Sequence, residues 1–78
     1  MIGQRRDVGH LEMEPGNYGR WKGDWICMTP NGLKGKLALH EVIEHEDGTI
    51  TATPSILVNG GPRGTWHGFL ERGVWRPA

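Results

Sequence analysis

The sequence predicts an all-β fold: a small antiparallel sheet, built as a sandwich or a partly open barrel of about five or six short strands. Glycine and proline interrupt the chain at short intervals, and runs of β-forming residues lie between them. Residues 33–46 have the longest helix-like apolar spacing, but they contain Gly35 and the β-branched pair Val42-Ile43, which disfavour a long helix. The length of 78 residues predicts one domain that spans residues 1–78.

The N-terminal half carries the weaker strand signals. Residues 8–13 are expected to form a strand, and Glu14-Pro15-Gly16-Asn17 is expected to form a turn. Residues 18–28 then alternate as one strand. This alternation places Trp21 and Trp25 on one face and assigns both side chains to the core.

A first hairpin is predicted over residues 41–53. Asp47-Gly48 between two β-forming runs indicates a two-residue type I′ turn, in which both central residues have positive φ. That turn sets the register, because it places Ile43 opposite Ala52 on the core side of the sheet.

A second hairpin is predicted over residues 65–76. Arginine is unfavourable at positive φ, so the expected loop has three residues, with Arg72 in an ordinary conformation and only Gly73 in the left-handed region. This register pairs Phe69 with Trp75 across the two strands, which would add an aromatic contact.

Composition and charge exclude several classes of function. Apolar residues make up 36% of the chain, and no apolar run is long enough to cross a membrane. Nine basic residues balance nine acidic ones, which argues against nucleic acid as a partner even though arginines lie near tryptophans. The single cysteine cannot form an internal disulfide, which is typical of a reducing compartment.

No catalytic or metal centre is predicted, and no cofactor. An acidic cluster surrounds His45 near the first turn, and an exposed turn is a poor place for acid–base chemistry; its members are Glu41, Glu44, Glu46 and Asp47. Four side chains could supply zinc ligands, but their spacing does not match a zinc site; they are His40, His45, His67 and Cys27. The cluster is therefore interpreted as a solvated edge that discourages strand aggregation.

The glycine-rich segment at residues 59–67 is the candidate ligand site. Its glycines allow backbone N–H groups to form an anion-binding nest, Arg63 offers a forked donor, and Trp66 offers a stacking surface. The candidate ligand-binding residues are Gly60, Gly61, Arg63, Gly64, Trp66 and His67. An anionic small molecule such as a nucleotide would fit this set. The segment lacks the P-loop pattern, and an ordinary loop between two hairpins is the alternative.

Aromatic residues in the second hairpin are the candidate interface. Four tryptophans in so short a chain indicate either a core in which tryptophan replaces the scarce Phe and Tyr, or a binding surface, since tryptophan and arginine are enriched at binding surfaces. The candidate interface residues are Trp75, Phe69 and Arg72, and the structural turn residues are Asp47, Gly48 and Gly73. A marginal core and exposed strand edges predict a homo-oligomer, since association buries apolar surface that a small chain cannot bury by itself.

Three segments carry a resemblance to a known group. They are Glu44-His45-Glu46-Asp47-Gly48-Thr49-Ile50-Thr51, Pro54-Ser55-Ile56, and Trp66-His67-Gly68-Phe69-Leu70-Glu71-Arg72-Gly73-Val74-Trp75. Together they resemble small uncharacterised proteins of actinobacterial phages, and more distantly a wider phage family of unknown function. The resemblance covers about residues 41–77. It implies a phage setting, in the host cytoplasm or the virion, and no established activity.

The sequence thus favours a non-enzymatic binding or assembly module that acts on a phage or host protein. The alternative is an oligomeric binder that sequesters an anionic signalling nucleotide and so evades host defence. Single-stranded nucleic-acid binding is the second alternative.

Overall fold

The computed structural model describes every residue from Met1 to Ala78 and confirms the all-β fold. Eight strands form two four-stranded sheets that do not close into a barrel. The N-terminal sheet contains β1 (Gln4–Arg5), β2 (Asn17–Trp21), β3 (Asp24–Met28) and β4 (Lys34–Lys36). The C-terminal sheet contains β5 (Glu41–Glu44), β6 (Ile50–Asn59), β7 (Thr65–Glu71) and β8 (Val74–Pro77). Two short 3-10 turns, His10–Glu12 and Gly61–Arg63, complete the chain, and neither is long or apolar enough to span a bilayer.

Eight strands are present instead of the predicted five or six, because residues 18–28 form a hairpin and the unpredicted β1 and β4 complete the N-terminal sheet. The chain turns at Lys22-Gly23, where both residues have positive φ, and Trp21 pairs with Asp24. This turn places Trp21 and Trp25 on opposite faces of the sheet. Trp25 is half-buried against the core, whereas Trp21 remains 43% exposed, so its assignment to the core was wrong.

The predicted strand at residues 8–13 is also absent. This segment contains the 3-10 turn His10–Glu12 and lies over the outer side of the N-terminal sheet. It covers a second, smaller apolar cluster that contains Met13, Ile26 and Met28. The predicted turn at residues 14–17 is confirmed, because the Asn17 amide donates to the Glu14 carbonyl and Gly16 has positive φ.

The first hairpin of the C-terminal sheet has a three-residue loop. The His45 amide donates to the Thr49 carbonyl at 2.8 Å, and only Gly48 within the loop has positive φ. The two-residue type I′ turn was therefore wrong, although Asp47 and Gly48 are turn residues as expected. The physical reason is Asp47, whose carboxylate accepts the amide and hydroxyl protons of Thr49; these bonds lower the pKa of Asp47.

The change of loop length shifts the register by one residue. Val42 now lies opposite Ala52, and Ile43 lies opposite Thr51. Because successive strand residues point to opposite faces, this shift places Val42 towards the core. Ile43 then lies on the side of the C-terminal sheet that points away from the core, which is its outer face.

The loop of the second hairpin is one residue shorter than predicted, whereas the loop of the first is one residue longer. Its loop has two residues, Arg72 and Gly73, both with positive φ, and Leu70 pairs with Trp75. The predicted pairing of Phe69 with Trp75 was therefore wrong. Two hydrogen bonds to β6 hold the turn in this conformation: the Arg72 amide donates to the Thr51 side-chain hydroxyl, and the Gly73 amide donates to the Ile50 carbonyl.

The main core lies between the two sheets. Trp75 is its largest fully buried side chain, and its indole N–H donates to the Gly16 carbonyl at 2.9 Å. Trp66 meets Trp75 edge to face at 5.2 Å between ring centroids. The buried members of this core are Tyr18, Cys27, Leu37, Ile50, Ala52, Ile56, Leu70 and Trp75.

The first residues of the chain join the two sheets. Met1 and Trp75 exchange backbone hydrogen bonds, and the Gly3 amide donates to the Gly73 carbonyl at 2.7 Å. The next residues form β1, which pairs in parallel with β2. One extended segment therefore covers the edge of β8 and then completes the N-terminal sheet.

We predict that Gly73→Ala destabilises the fold more than Gly48→Ala. Both substitutions place a Cβ at positive φ, which costs about 1–2 kcal/mol. A Cβ at residue 73 would also lie 2.5 Å from the Tyr18 hydroxyl oxygen, whereas a Cβ at residue 48 meets no atom within 4 Å. Urea unfolding of the two variants measures the difference, and equal losses of stability would contradict the packing of Tyr18 on this turn.

Candidate protein interface

The glycine loop does not present an anion-binding nest. Its backbone donors are used within the loop: the Gly60 amide donates to the Gly64 carbonyl and the Gly64 amide to the Gly61 carbonyl. The Gly61 amide donates to the Asn59 side chain, and the Arg63 amide to the Gly60 carbonyl. The predicted nest was therefore wrong, because these N–H groups already have acceptors.

The side chains assigned to this ligand site do not converge. Trp66 points inwards and packs on the core, whereas His67 is on the outer face, where its Nε2 lies 3.0 Å from the Ser55 hydroxyl. Arg63 is exposed on the 3-10 turn. Neither of the two surface clefts of the molecule is lined by these residues. Recognition of an anion here would depend mainly on the single Arg63 side chain, and it stays a prediction.

The three candidate interface residues occupy different environments. Trp75 is only 1% exposed and belongs to the core, so its assignment to an interface was wrong. Phe69 and Arg72 are accessible, because the observed register turns Phe69 outwards and places Arg72 at the tip of the β7–β8 hairpin. Phe69 thus lies on the outer face of the C-terminal sheet.

The outer face carries apolar side chains that the chain itself leaves uncovered. Ile43 is 48% exposed, Leu57 is 64% exposed and Val74 is 42% exposed. Phe69 is half-buried beneath the Arg76 guanidinium, which lies 4.7 Å from the ring centroid. Arg76 is also paired with Glu71.

This mixture of residues is typical of a protein interface that forms between separately folded chains. Such interfaces are about as apolar as other protein surface, and aromatic residues and arginine are enriched in them. Threonine, histidine and glutamate separate the apolar side chains, which keeps the face compatible with water. Sequence analysis missed Ile43, Leu57 and Val74, and correct turn lengths were the signal that would have placed Ile43 and Val74.

The edges of the C-terminal sheet are unequal. The segment Met1–Gly3 covers the β8 edge. The β5 edge has no such cover, because none of the backbone hydrogen bonds outside the strand ladders involves Val42 or Glu44. Uncovered edge strands are sites at which another strand can add.

The acidic cluster lies next to this free edge. A surface cleft of about 500 Å³ is lined there by Glu44, His45, Glu46, Asp47 and Arg72. Arg5 from the N-terminal sheet forms an ion pair with Glu44 at 2.5 Å and contacts the Trp25 ring. Hydrogen bonds to Glu44 and Asp7 raise the pKa of Arg5. No three of the chain's metal-binding side chains are grouped so that they could hold an ion.

Cys27 is fully buried in the core. Burial raises the pKa of its thiol to about 12, because the thiolate would lose its hydration. A thiol held in its neutral form is a poor nucleophile, so Cys27 serves packing rather than chemistry.

Comparison with protein-family models, with curated proteins and with solved structures finds no match to this chain.

We predict that the stabilising contribution of Cys27 decreases between pH 9 and pH 12. The unfolded thiol ionises near pH 9 and the folded one near pH 12, so the folded state binds more protons in this interval. The difference in unfolding free energy between the wild-type protein and Cys27→Ala should therefore fall by up to about 1.4 kcal/mol per pH unit. All other titratable groups are common to the two proteins, so their contributions cancel in this difference. A difference that is constant with pH would contradict the buried thiol.

Proposed function

We propose that this protein is a non-enzymatic assembly module that acts through protein–protein contacts, with a homo-oligomer as its working form. The observation that carries the proposal is the outer face of the C-terminal sheet, with its exposed Ile43, Leu57 and Val74 and the Arg76–Phe69 pair. In a single copy, Ile43, Leu57 and Val74 keep 42% to 64% of their surface exposed. Their burial against another protein would be favourable.

The size of the core supports self-association. Only 19 of the 78 residues are buried, and the chain contains no disulfide that would compensate for so small a core. Small domains without such a constraint commonly gain stability through oligomerisation. We therefore expect a second copy of the chain to bind at the outer face and at the uncovered β5 edge of the same sheet.

The phage setting belongs to the same proposal. The resemblance of residues 41–77 to phage proteins supports a role in the virion or on a host protein in the host cytoplasm. The nucleotide-binding alternative is less well supported than assembly, because the glycine loop uses its own N–H groups and its side chains point apart.

We predict that the wild-type protein sediments as a species heavier than the 8.7 kDa single chain at micromolar concentration. Ile43→Glu, which places a charge on the outer face, should weaken this association at least about tenfold, or about 1.4 kcal/mol.

Leu11→Glu is the matched control. It adds the same charge at a leucine that is 91% exposed on the 3-10 turn His10–Glu12, away from the C-terminal sheet. Its association should equal that of the wild type. A wild-type protein that remains an 8.7 kDa monomer throughout the micromolar range would overturn the proposal.

A further inference from the structure

We propose that two copies associate by pairing their β5 strands antiparallel across a two-fold axis, so that the two C-terminal sheets become one eight-stranded sheet. This inference rests on the proposed function and specifies one contact within it, which involves the β5 edge and Ile43. It is carried by the free β5 edge and by the order of residues along that strand, which is self-complementary in one register.

The hydrogen-bonding pattern of the β5–β6 hairpin fixes which backbone groups point outwards. His45 and Thr49 form a hydrogen-bonded pair, and such pairs alternate with non-hydrogen-bonded pairs along an antiparallel ladder. Ile43 therefore bonds to β6, whereas Val42 and Glu44 direct their N–H and C=O groups away from it. These outward groups are the ones that a second strand would use.

Three symmetric registers match outward groups with outward groups. Pairing Glu44 with Glu44 of the partner subunit would set two carboxylates directly opposite each other, which is destabilising. Pairing Val42 with Val42 of the partner subunit would draw in His40, whose amide already donates to the Leu37 carbonyl. The third register pairs Val42 with Glu44 of the partner subunit, and it keeps every interchain backbone bond within β5.

This third register has a specific geometry at the axis. Ile43 faces Ile43 of the partner subunit as a non-hydrogen-bonded pair, for which the Cα atoms lie about 4.5 Å apart. Glu41 faces His45 of the partner subunit on the same side of the sheet. Each Val42–Glu44 pair contributes two backbone hydrogen bonds, and the symmetry doubles that number. The half-exposed Ile43 side chains would bury each other at the centre.

The charges around β5 are compatible with this register and disfavour the direct pairing of two Glu44 residues. The carboxylate of Glu44 is already paired with Arg5 within its own chain, so it can lie beside the apolar Val42 of the partner subunit. Glu41 gains a histidine as its neighbour. The acidic residues therefore disfavour strand pairings in which two carboxylates face each other. If the glutamates instead prevent every strand pairing, they only protect the edge from aggregation, and the protein remains monomeric.

Cysteine cross-linking tests the predicted axis. In Ile43→Cys the two new thiols would lie across a non-hydrogen-bonded pair, at a Cα separation that a disulfide accepts. Mild oxidation with diamide should convert most of the protein to a covalent dimer, visible on a non-reducing gel and reversed by a reductant. The native Cys27 is fully buried and does not compete.

Leu57→Cys is the control for chance collision. It places a more exposed thiol on the same outer face but on β6, away from the axis. It should give at least tenfold less covalent dimer at the same protein concentration and time. Equal yields from the two variants would overturn the β5 pairing.

A proline substitution tests the backbone bonds independently. Val42→Pro removes an N–H group that points away from β6, so the hairpin ladder keeps its bonds while the intermolecular pairing loses its donor. Val42→Ala is the matched control, since it also removes the valine side chain but keeps the N–H. Circular dichroism and thermal melting establish that each variant is folded.

The expected result is a monomer for Val42→Pro and a dimer for Val42→Ala by sedimentation. If Val42→Pro does not fold, the cross-linking yields decide alone. A wild-type protein that is dimeric but shows no cross-link through residue 43 would refute the β5 pairing and leave the assembly proposal standing. A wild-type protein that is monomeric would refute both.

Discussion

The burial of Trp75 between the two sheets is the constraint on which the rest of the structure depends. Its indole N–H reaches the Gly16 carbonyl in the N-terminal sheet, and its backbone pairs with Met1. Trp66 packs against the same ring, and a side chain at residue 68 would collide with Trp66. Both sheets and the first residues of the chain therefore converge on one side chain.

The turn between β7 and β8 follows from this burial. A two-residue loop is needed to bring Trp75 opposite Leu70 on the inner side, and the same loop forces Arg72 to positive φ. The cost of that conformation is offset by hydrogen bonds from this turn to Thr51 and Ile50 on β6. The outer position of Phe69 beneath Arg76 is a consequence of the same register. The core thus determines which residues the surface presents.

The positions of the turns were predictable from the sequence, but their types were not. Asp47-Gly48 and Arg72-Gly73 both lie in turns. Asp47-Gly48 suits a two-residue loop but belongs to a three-residue loop, whereas Arg72-Gly73 forms a two-residue loop. Local preference favoured the opposite assignment. The burial of Trp75 decided the second turn, and the hydrogen bonds between Thr49 and the Asp47 carboxylate decided the first. Lys22-Gly23 was missed for the same reason, since lysine at positive φ is locally unfavourable. For the glycine loop, the sequence could not show that its N–H groups bond within the loop.

The N-terminal segment distinguishes the two edges of the C-terminal sheet. Met1–Gly3 covers the β8 edge by backbone hydrogen bonds to Trp75 and Gly73. The same hydrogen bonds therefore protect that edge and hold Trp75 in the core. No corresponding hydrogen bonds cover the outward backbone groups of Val42 and Glu44 on β5. Its glutamates restrict which strands can approach, and its Ile43 remains half-exposed because the three-residue loop turned it outwards. An edge that is charged, short and self-complementary in one register suits a partner of defined geometry better than indiscriminate strand addition.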